Sequence, residues 1–132
     1  MQKKIGLLIC CVLLVASLSG APPSISLVSP QGGEAWLLGS THAIAWTTVP
    51  GVSGTLYIGL WGYNKGGQLI HLGQIAEANY KLGSYSWKVG EYAGQRAGVG
   101  KYHIRVNIWV NSTTNIQAIN KVPFYIVAFL HR

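Results

Sequence analysis

From Ile25 onward, apolar and polar residues alternate in short segments, each cut off by glycine or proline, and this pattern restricts the fold more than any other feature. A repeat of two belongs to a strand with one buried face, whereas an amphipathic helix needs a repeat near 3.6 over about ten residues or more. No window sustains the helical repeat, and 17 glycines weigh against helices throughout. Strands are predicted at Ile25 to Val28, Glu34 to Leu37, Thr41 to Thr48, Thr55 to Tyr63, Gln68 to Ile75, Gly83 to Val89, Lys101 to Val110 and Val122 to Phe129. The breaks are Ser29 to Gly33, Gly39-Ser40, Val49 to Gly54 and Asn64 to Gly67, then a glycine-rich excursion from Ala93 to Gly100 and a polar connection from Asn111 to Asn120. About seven to eight short strands in ~110 residues imply an all-β fold, an immunoglobulin-like antiparallel β-sandwich. Its inward residues would include Ile44, Trp46, Leu56, Ile58, Leu60, Tyr85, Trp87, Val89, Tyr102, Ile104, Val106, Phe124 and Ile126.

Ahead of the strands lies a different kind of segment. Lys3 and Lys4 precede an almost unbroken apolar run from Ile5 to Leu18, followed by the small residues Ser19, Gly20 and Ala21. A basic head, a short apolar middle and a small-residue exit are the parts of a secretory signal peptide. The run falls short of the roughly 20 apolar residues that a spanning helix needs. Residues 1–21 are therefore expected to form a signal helix, cut after Ser19 or Ala21, with 22–132 as one sandwich domain. A membrane association would require that helix to be retained. Cys10 and Cys11 both fall within the apolar run, so the exported domain would contain no cysteine and be held by its core alone. About 110 residues suffice for that, burying roughly 65% of the unfolded chain's surface.

Removal of Lys3 and Lys4 from the ten basic residues leaves eight, and three glutamates bring the net charge to +5. The eight are scattered from Lys65 to Arg132 without a cluster, which argues against a nucleic-acid partner. A mild attraction to anionic glycans or envelope lipids is compatible with this charge, as is simple solubility.

Five ordered blocks carry a family resemblance: Ser29-Pro30-Gln31-Gly32-Gly33-Glu34-Ala35-Trp36, Gly39-Ser40-Thr41-His42-Ala43-Ile44-Ala45-Trp46, Gly83-Ser84-Tyr85-Ser86-Trp87, Tyr102-His103-Ile104-Arg105-Val106 and Phe124-Tyr125-Ile126. Together they are similar to the Ser-Thr-rich, glycosylphosphatidylinositol-anchored membrane family, whose immunoglobulin-like domain also occurs in yeast cell-wall synthesis proteins linked to β-1,6-glucan assembly. The resemblance spans roughly residues 25 to 127 and implies a non-enzymatic sandwich module at the cell surface. No Ser/Thr-rich stalk and no C-terminal anchor signal is read in these 132 residues, so the fungal mode of anchoring is not expected to carry over. Similar domains also occur in prokaryotic secreted proteins, so a glucan role does not carry over directly. Within the first block, Gly32 and Gly33 would supply backbone angles closed to other residues, and Glu34 would accept backbone hydrogen bonds in the turn. Trp36, Trp46 and Trp87 are expected to pack inward.

Catalysis is disfavoured. The chain has no aspartate, and its side-chain carboxylates are Glu34, Glu77 and Glu91, with nothing to bring two of them to one bond. No Gly-x-Ser-x-Gly motif is present, and the exported domain has no cysteine nucleophile. His42, His71, His103 and His131 lack metal-ligand spacing, so no metal or other cofactor is expected.

The outward positions are more informative. On the strand from Thr55 they are Tyr57, Gly59, Trp61 and Tyr63; on the strand from Lys101 they are His103, Arg105, Asn107 and Trp109. These two strands neighbour one another in an immunoglobulin-type sheet, and the closing strand would add Tyr125. A flat patch of Tyr57, Trp61, His103, Arg105, Trp109 and Tyr125 is thus the candidate ligand face, since aromatic rings bring contact area at little entropic cost. A bulge at Gly59 would break that register. Asn111-Ser112-Thr113 is a candidate N-glycosylation site.

Two functions compete for a secreted or cell-surface chain of this kind. One is a binding module for a cell-wall or extracellular polysaccharide, from which an adaptor for a secreted enzyme is indistinguishable. The other is a structural subunit that associates with copies of itself, which 10% charged and 49% hydrophobic residues and unpaired strand edges would suit.

Overall fold

The structure, a computed structural model, describes residues 22–129. The expected signal segment lies outside the described residues. In chain order the strands are β1 (Ile25–Ser29), β2 (Ala35–Leu37), β3 (Thr41–Thr48), β4 (Thr55–Tyr63), β5 (Leu69–Asn79), β6 (Ser84–Lys88), β7 (Glu91–Tyr92), β8 (Gln95–Arg96), β9 (Gly100–Trp109), β10 (Asn115–Ile119) and β11 (Phe124–Val127). A single 3₁₀ turn, Tyr80–Leu82, links β5 to β6. No described helix is long and apolar enough to cross a membrane.

Two sheets face each other. The smaller is ordered β1-β3-β6 and the larger β2-β11-β9-β4-β5, with β10 also on β9. The alternation within β3, β4 and β9 explains the packing between them. Ile44 and Trp46 enter from β3, Trp87 from β6, Leu56, Ile58 and Leu60 from β4, and Ile104, Val106 and Ile108 from β9. Phe124 and Ile126 close the same core from β11. The indole N–H of Trp46 donates to the Tyr80 carbonyl at 2.8 Å, and that of Trp87 donates to the Glu91 carbonyl at 2.8 Å. Each large ring thus buries its area without stranding its polar atom. Trp36 stacks on His42 with centroids 4.6 Å apart and tilts against Phe124 at 5.2 Å.

The chain crosses from the small sheet to the large one between β1 and β2. Both carboxylate oxygens of Glu34 are used there, accepting from the Gln31 and Gly32 backbone N–H groups at 2.7 Å each. A side chain at Gly32 would drive a Cβ to 2.5 Å from the Val122 carbonyl oxygen, on a backbone with φ of 128°. The turn therefore lies flat against the start of β11, and β2 runs parallel to β11 in an otherwise antiparallel sheet.

Three local expectations are corrected. The connection from Asn111 to Asn120 contains strand β10, because Ile116 and Ala118 pair with Ile108 and Val106 and turn half-buried faces to the core. The polar residues Asn115 and Gln117 between them hide that alternation from a composition-based reading. The glycine-rich excursion holds the β7-β8 hairpin, which docks on β5 through the Ala93 N–H and the Gln74 carbonyl, 2.9 Å apart. The strand after Asn64 continues to Asn79 because two register shifts, opposite Ile58/Gly59 and Leu60/Trp61, keep it paired. The extra residues of those shifts, Ile75 and Leu72, lie on β5. The β4-β9 register runs unbroken from Leu56–Ile108 to Trp61–His103, so Gly59 does not interrupt it.

Candidate functional site

The outer face of the large sheet follows from strand parity. With Leu56, Ile58 and Leu60 inward, β4 turns Tyr57, Gly59, Trp61 and Tyr63 outward. The ladders set three residues side by side in each row. Asn107, Tyr57 and Glu77 form one; Arg105, Gly59 and Gln74 the next; His103, Trp61 and His71 the third. At the centre of the middle row glycine contributes no side chain, leaving a shallow hollow of about 250 Å³ lined by Tyr57, Gly59, His71, Gln74, Arg105, Asn107 and Trp109.

Three nitrogen-bearing side chains meet at this hollow. A Cβ placed on Gly59 would lie 3.1 Å from His71 Nε2 and 3.6 Å from Trp61 Nε1. The Arg105 guanidinium carbon sits 4.6 Å from the Trp61 ring centroid, and the His71 ring centroid is 5.2 Å from it. A guanidinium stacked on an indole is held in orientation without using its N–H groups. The Trp61 Nε1 and Arg105 Nε atoms are shielded from solvent and have no hydrogen-bond partner. Among the described residues Arg105 has no ion-pair partner. Burial, and secondarily the Arg105 charge, lowers the pKa of His71 below the ordinary imidazole value. Both effects disfavour the protonated ring, the first by removing water from the charge and the second by repulsion from Arg105.

Of the residues assigned to this face from sequence, Tyr57, Trp61 and Arg105 gather around the hollow. Trp109, 53% exposed, stands at its β9 end. Tyr125 is exposed on the same side but pairs with Lys101, four residues along β9 from Arg105, or roughly 13 Å. It belongs to a separate cluster in which Lys101 Nζ lies 4.7 Å over the Tyr63 ring.

His103 is a correction: it is only 4% exposed and offers no surface. Its Nδ1 donates to the Asn120 carbonyl at 2.6 Å, and its Nε2 shares a hydrogen bond with the Tyr63 hydroxyl at 2.7 Å. Asn120 fills the gap between β10 and β11, its Oδ1 accepting the Ile104 N–H at 2.7 Å, and the chain there folds over the imidazole. His103 thus fastens the split edge of the sheet.

Sequence reasoning passed over His71 and Gln74. They reach the site because the shifts on β5 change the parity of that strand, which its alternation alone does not disclose. Asn111 is exposed at the β9–β10 turn, where its Oδ1 accepts from Thr113 N, Thr113 Oγ1 and Thr114 N at 2.8–3.0 Å. Among the described residues, no group of three His, Cys, Asp or Glu side chains lies close enough to hold a metal ion. A larger depression beneath the β7-β8 hairpin is lined by Trp87, whose indole N–H already donates to the Glu91 carbonyl.

No family model matches the chain, and no curated protein matches it. Among solved structures it is similar to the fibronectin(III)-like modules of Clostridium thermocellum CbhA, with a TM-score of 0.50 and 18% identity over 81% of this chain and 99% of that one. At that identity the likeness shows the fold: an immunoglobulin-like β-sandwich.

Proposed function

We propose that the chain is a secreted or cell-surface binding module without catalytic activity, and that it seats a glycan or surface polymer on the outer face of its larger sheet. The observation carrying this reading is the hollow over Gly59. It combines an open floor, aromatic residues at Tyr57 and Trp109, and polar groups at Trp61 and Arg105 that the protein leaves without hydrogen-bond partners. Sugars present this combination, an apolar ring face edged with hydroxyls, and aromatic side chains bind it at low entropic cost. The signal-like N-terminal segment and the ordered blocks similar to a cell-surface family support an extracellular setting. Glu34 is committed to a turn, while Glu77 and Glu91 lie on different strands, which supports the non-catalytic part of the reading. Self-association through the β5 edge is disfavoured by its two register shifts and by the hairpin covering its middle, although Leu69 and Ile70 stay 40% and 37% exposed.

Co-sedimentation with insoluble envelope polysaccharides, β-glucans included, tests the proposal. Retention of the wild-type protein that Trp61→Ala plus Trp109→Ala abolishes is the expected result. Failure to be retained on any polymer, with mass growing with concentration in sedimentation velocity, would transfer the function to self-assembly.

A further inference from the structure

The hollow over Gly59 is unbalanced in its hydrogen-bonding chemistry. Arginine and the indole N–H donate and cannot accept. Both place a nitrogen in a solvent-shielded position without a partner, whereas buried polar atoms are nearly always paired. Among the described residues Arg105 also has no ion-pair partner: the carboxylate nearest to it by register, Glu77, lies one row along the sheet, about 7 Å, and two strands across, about 10 Å. The core indoles of Trp46 and Trp87 show that this chain supplies carbonyl acceptors elsewhere. At Trp61 and Arg105 it does not.

From this convergence of unpaired donors we infer that the ligand is an anionic saccharide whose oxyanion, a uronate carboxylate or a sulfate ester, docks against Arg105 and Trp61 Nε1. This rests on the glycan reading above and specifies its substrate class. The oxyanion provides the acceptors that the site lacks, and a carboxylate matches the guanidinium fork in two parallel bonds. The sugar ring then lies over Gly59 toward Tyr57 and Trp109, with the charged end directed away from Glu77. In the free protein the His71 ring lies beside the Trp61 indole, their centroids 5.2 Å apart. The His71 side chain is exposed on the edge strand, so a ligand over Gly59 meets the imidazole there and gains its N–H as a third donor. Gly59 is what leaves space for this, since any Cβ there meets the imidazole at 3.1 Å.

The test is isothermal titration of the protein expressed from its full-length sequence with three probes: oligogalacturonate, a sulfated oligosaccharide and a neutral gluco-oligosaccharide. Saturable binding to one or both anionic probes is expected. It should weaken tenfold or more in Arg105→Gln, several-fold in Arg105→Lys and Trp61→Phe, and not at all in Lys88→Gln on the opposite sheet. Near-UV circular dichroism verifies that each variant is folded, and the ratio between the two anionic probes separates carboxylate from sulfate recognition. Binding to the neutral probe alone, unchanged in Arg105→Gln, would overturn the anionic inference and leave the glycan module standing. Equal losses in Arg105→Gln and Lys88→Gln would also overturn it, as they would show diffuse charge attraction. Failure to bind any of the three, coupled with failure on the insoluble polymers, would remove both readings.

Discussion

The outer faces of the two sheets are built by the same alternation and end with opposite character. On the small sheet, the outward positions are Ser26, Thr41, Ala43, Ala45, Thr47, Ser84, Ser86 and Lys88, nearly all short side chains in register with one another, with Val28 exposed at the β1 irregularity. On the large sheet they are Tyr57, Trp61, Tyr63, Arg105, Asn107 and Trp109, interrupted by one glycine. Folding needs neither set, because both sheets bury their other face in one shared core. Small hydroxyl-bearing and methyl side chains satisfy water and offer a partner little area. Large rings left outside the core, with donors lacking acceptors, are better explained by something that binds than by anything the fold requires.

The sharpest way to break this contrast is to exchange a core indole for a surface one. Trp87→Ala is expected to cost about 3–5 kcal/mol of stability in urea unfolding, since it opens a cavity and strands the Glu91 carbonyl. Trp109→Ala, on the exposed end of β9, should shift stability by no more than about 0.5 kcal/mol. A comparable loss in both would mean that Trp109 belongs to the packing and that the two faces do not differ in kind.

Next in size is the turn that joins the sheets. Glu34→Ala removes two charge-assisted hydrogen bonds and should destabilise the domain by about 1.5–3 kcal/mol with no effect on ligand retention. A retention defect at native stability would connect the crossover to the binding face. Gly59→Val is the converse. Its side chain fills the hollow against His71, so affinity for the retained polymer should drop about tenfold while the unfolding midpoint changes little.

The smallest expected effect is electrostatic. His71 has a lowered pKa, caused first by burial and then by Arg105, so below the ordinary imidazole value near 6.5 the unfolded chain binds a proton more readily than the native one. Stability contributed by neutral His71 is thus present above that pH and falls as the pH drops through the lowered native value. The groups around it are Arg105 from β9, Tyr57 and Tyr63 from β4, and Glu77 along β5. A bound oxyanion acts in the opposite direction and favours the protonated ring, so binding should tighten as the pH falls toward 5. A melting temperature series from pH 5 to 7 should flatten in His71→Gln, and the pH dependence of binding should weaken with it.

Parity made much of this legible from sequence. The bounds of β3 and β4 and the inward sets on β4, β9 and β11 follow from alternation, and so does the outward placement of Tyr57, Trp61, Arg105 and Trp109. Parity does not say what folds over an outward residue, which is why His103 reads as surface and is in fact capped by Tyr63 and Asn120. It also fails where a strand is bulged. The residues Leu72 and Ile75 break the count on β5, and with it the signal that His71 and Gln74 face the same hollow. Asn115 to Ile119 shows the third limit: polar letters on an edge strand resemble a loop until a partner strand supplies the ladder.

The central claim, that one sheet face binds a ligand and the other does not, is tested most directly by mapping backbone amide shifts during titration with a soluble fragment of the retained polysaccharide. Binding at the hollow should move the amides of Tyr57 to Trp61, His71, Gln74 and Arg105 to Trp109, and leave those of Thr41 to Thr47 and Ser84 to Lys88 in place. Shifts concentrated on the Thr41–Thr47 and Ser84–Lys88 face, with the residues around Gly59 unmoved, would contradict the account.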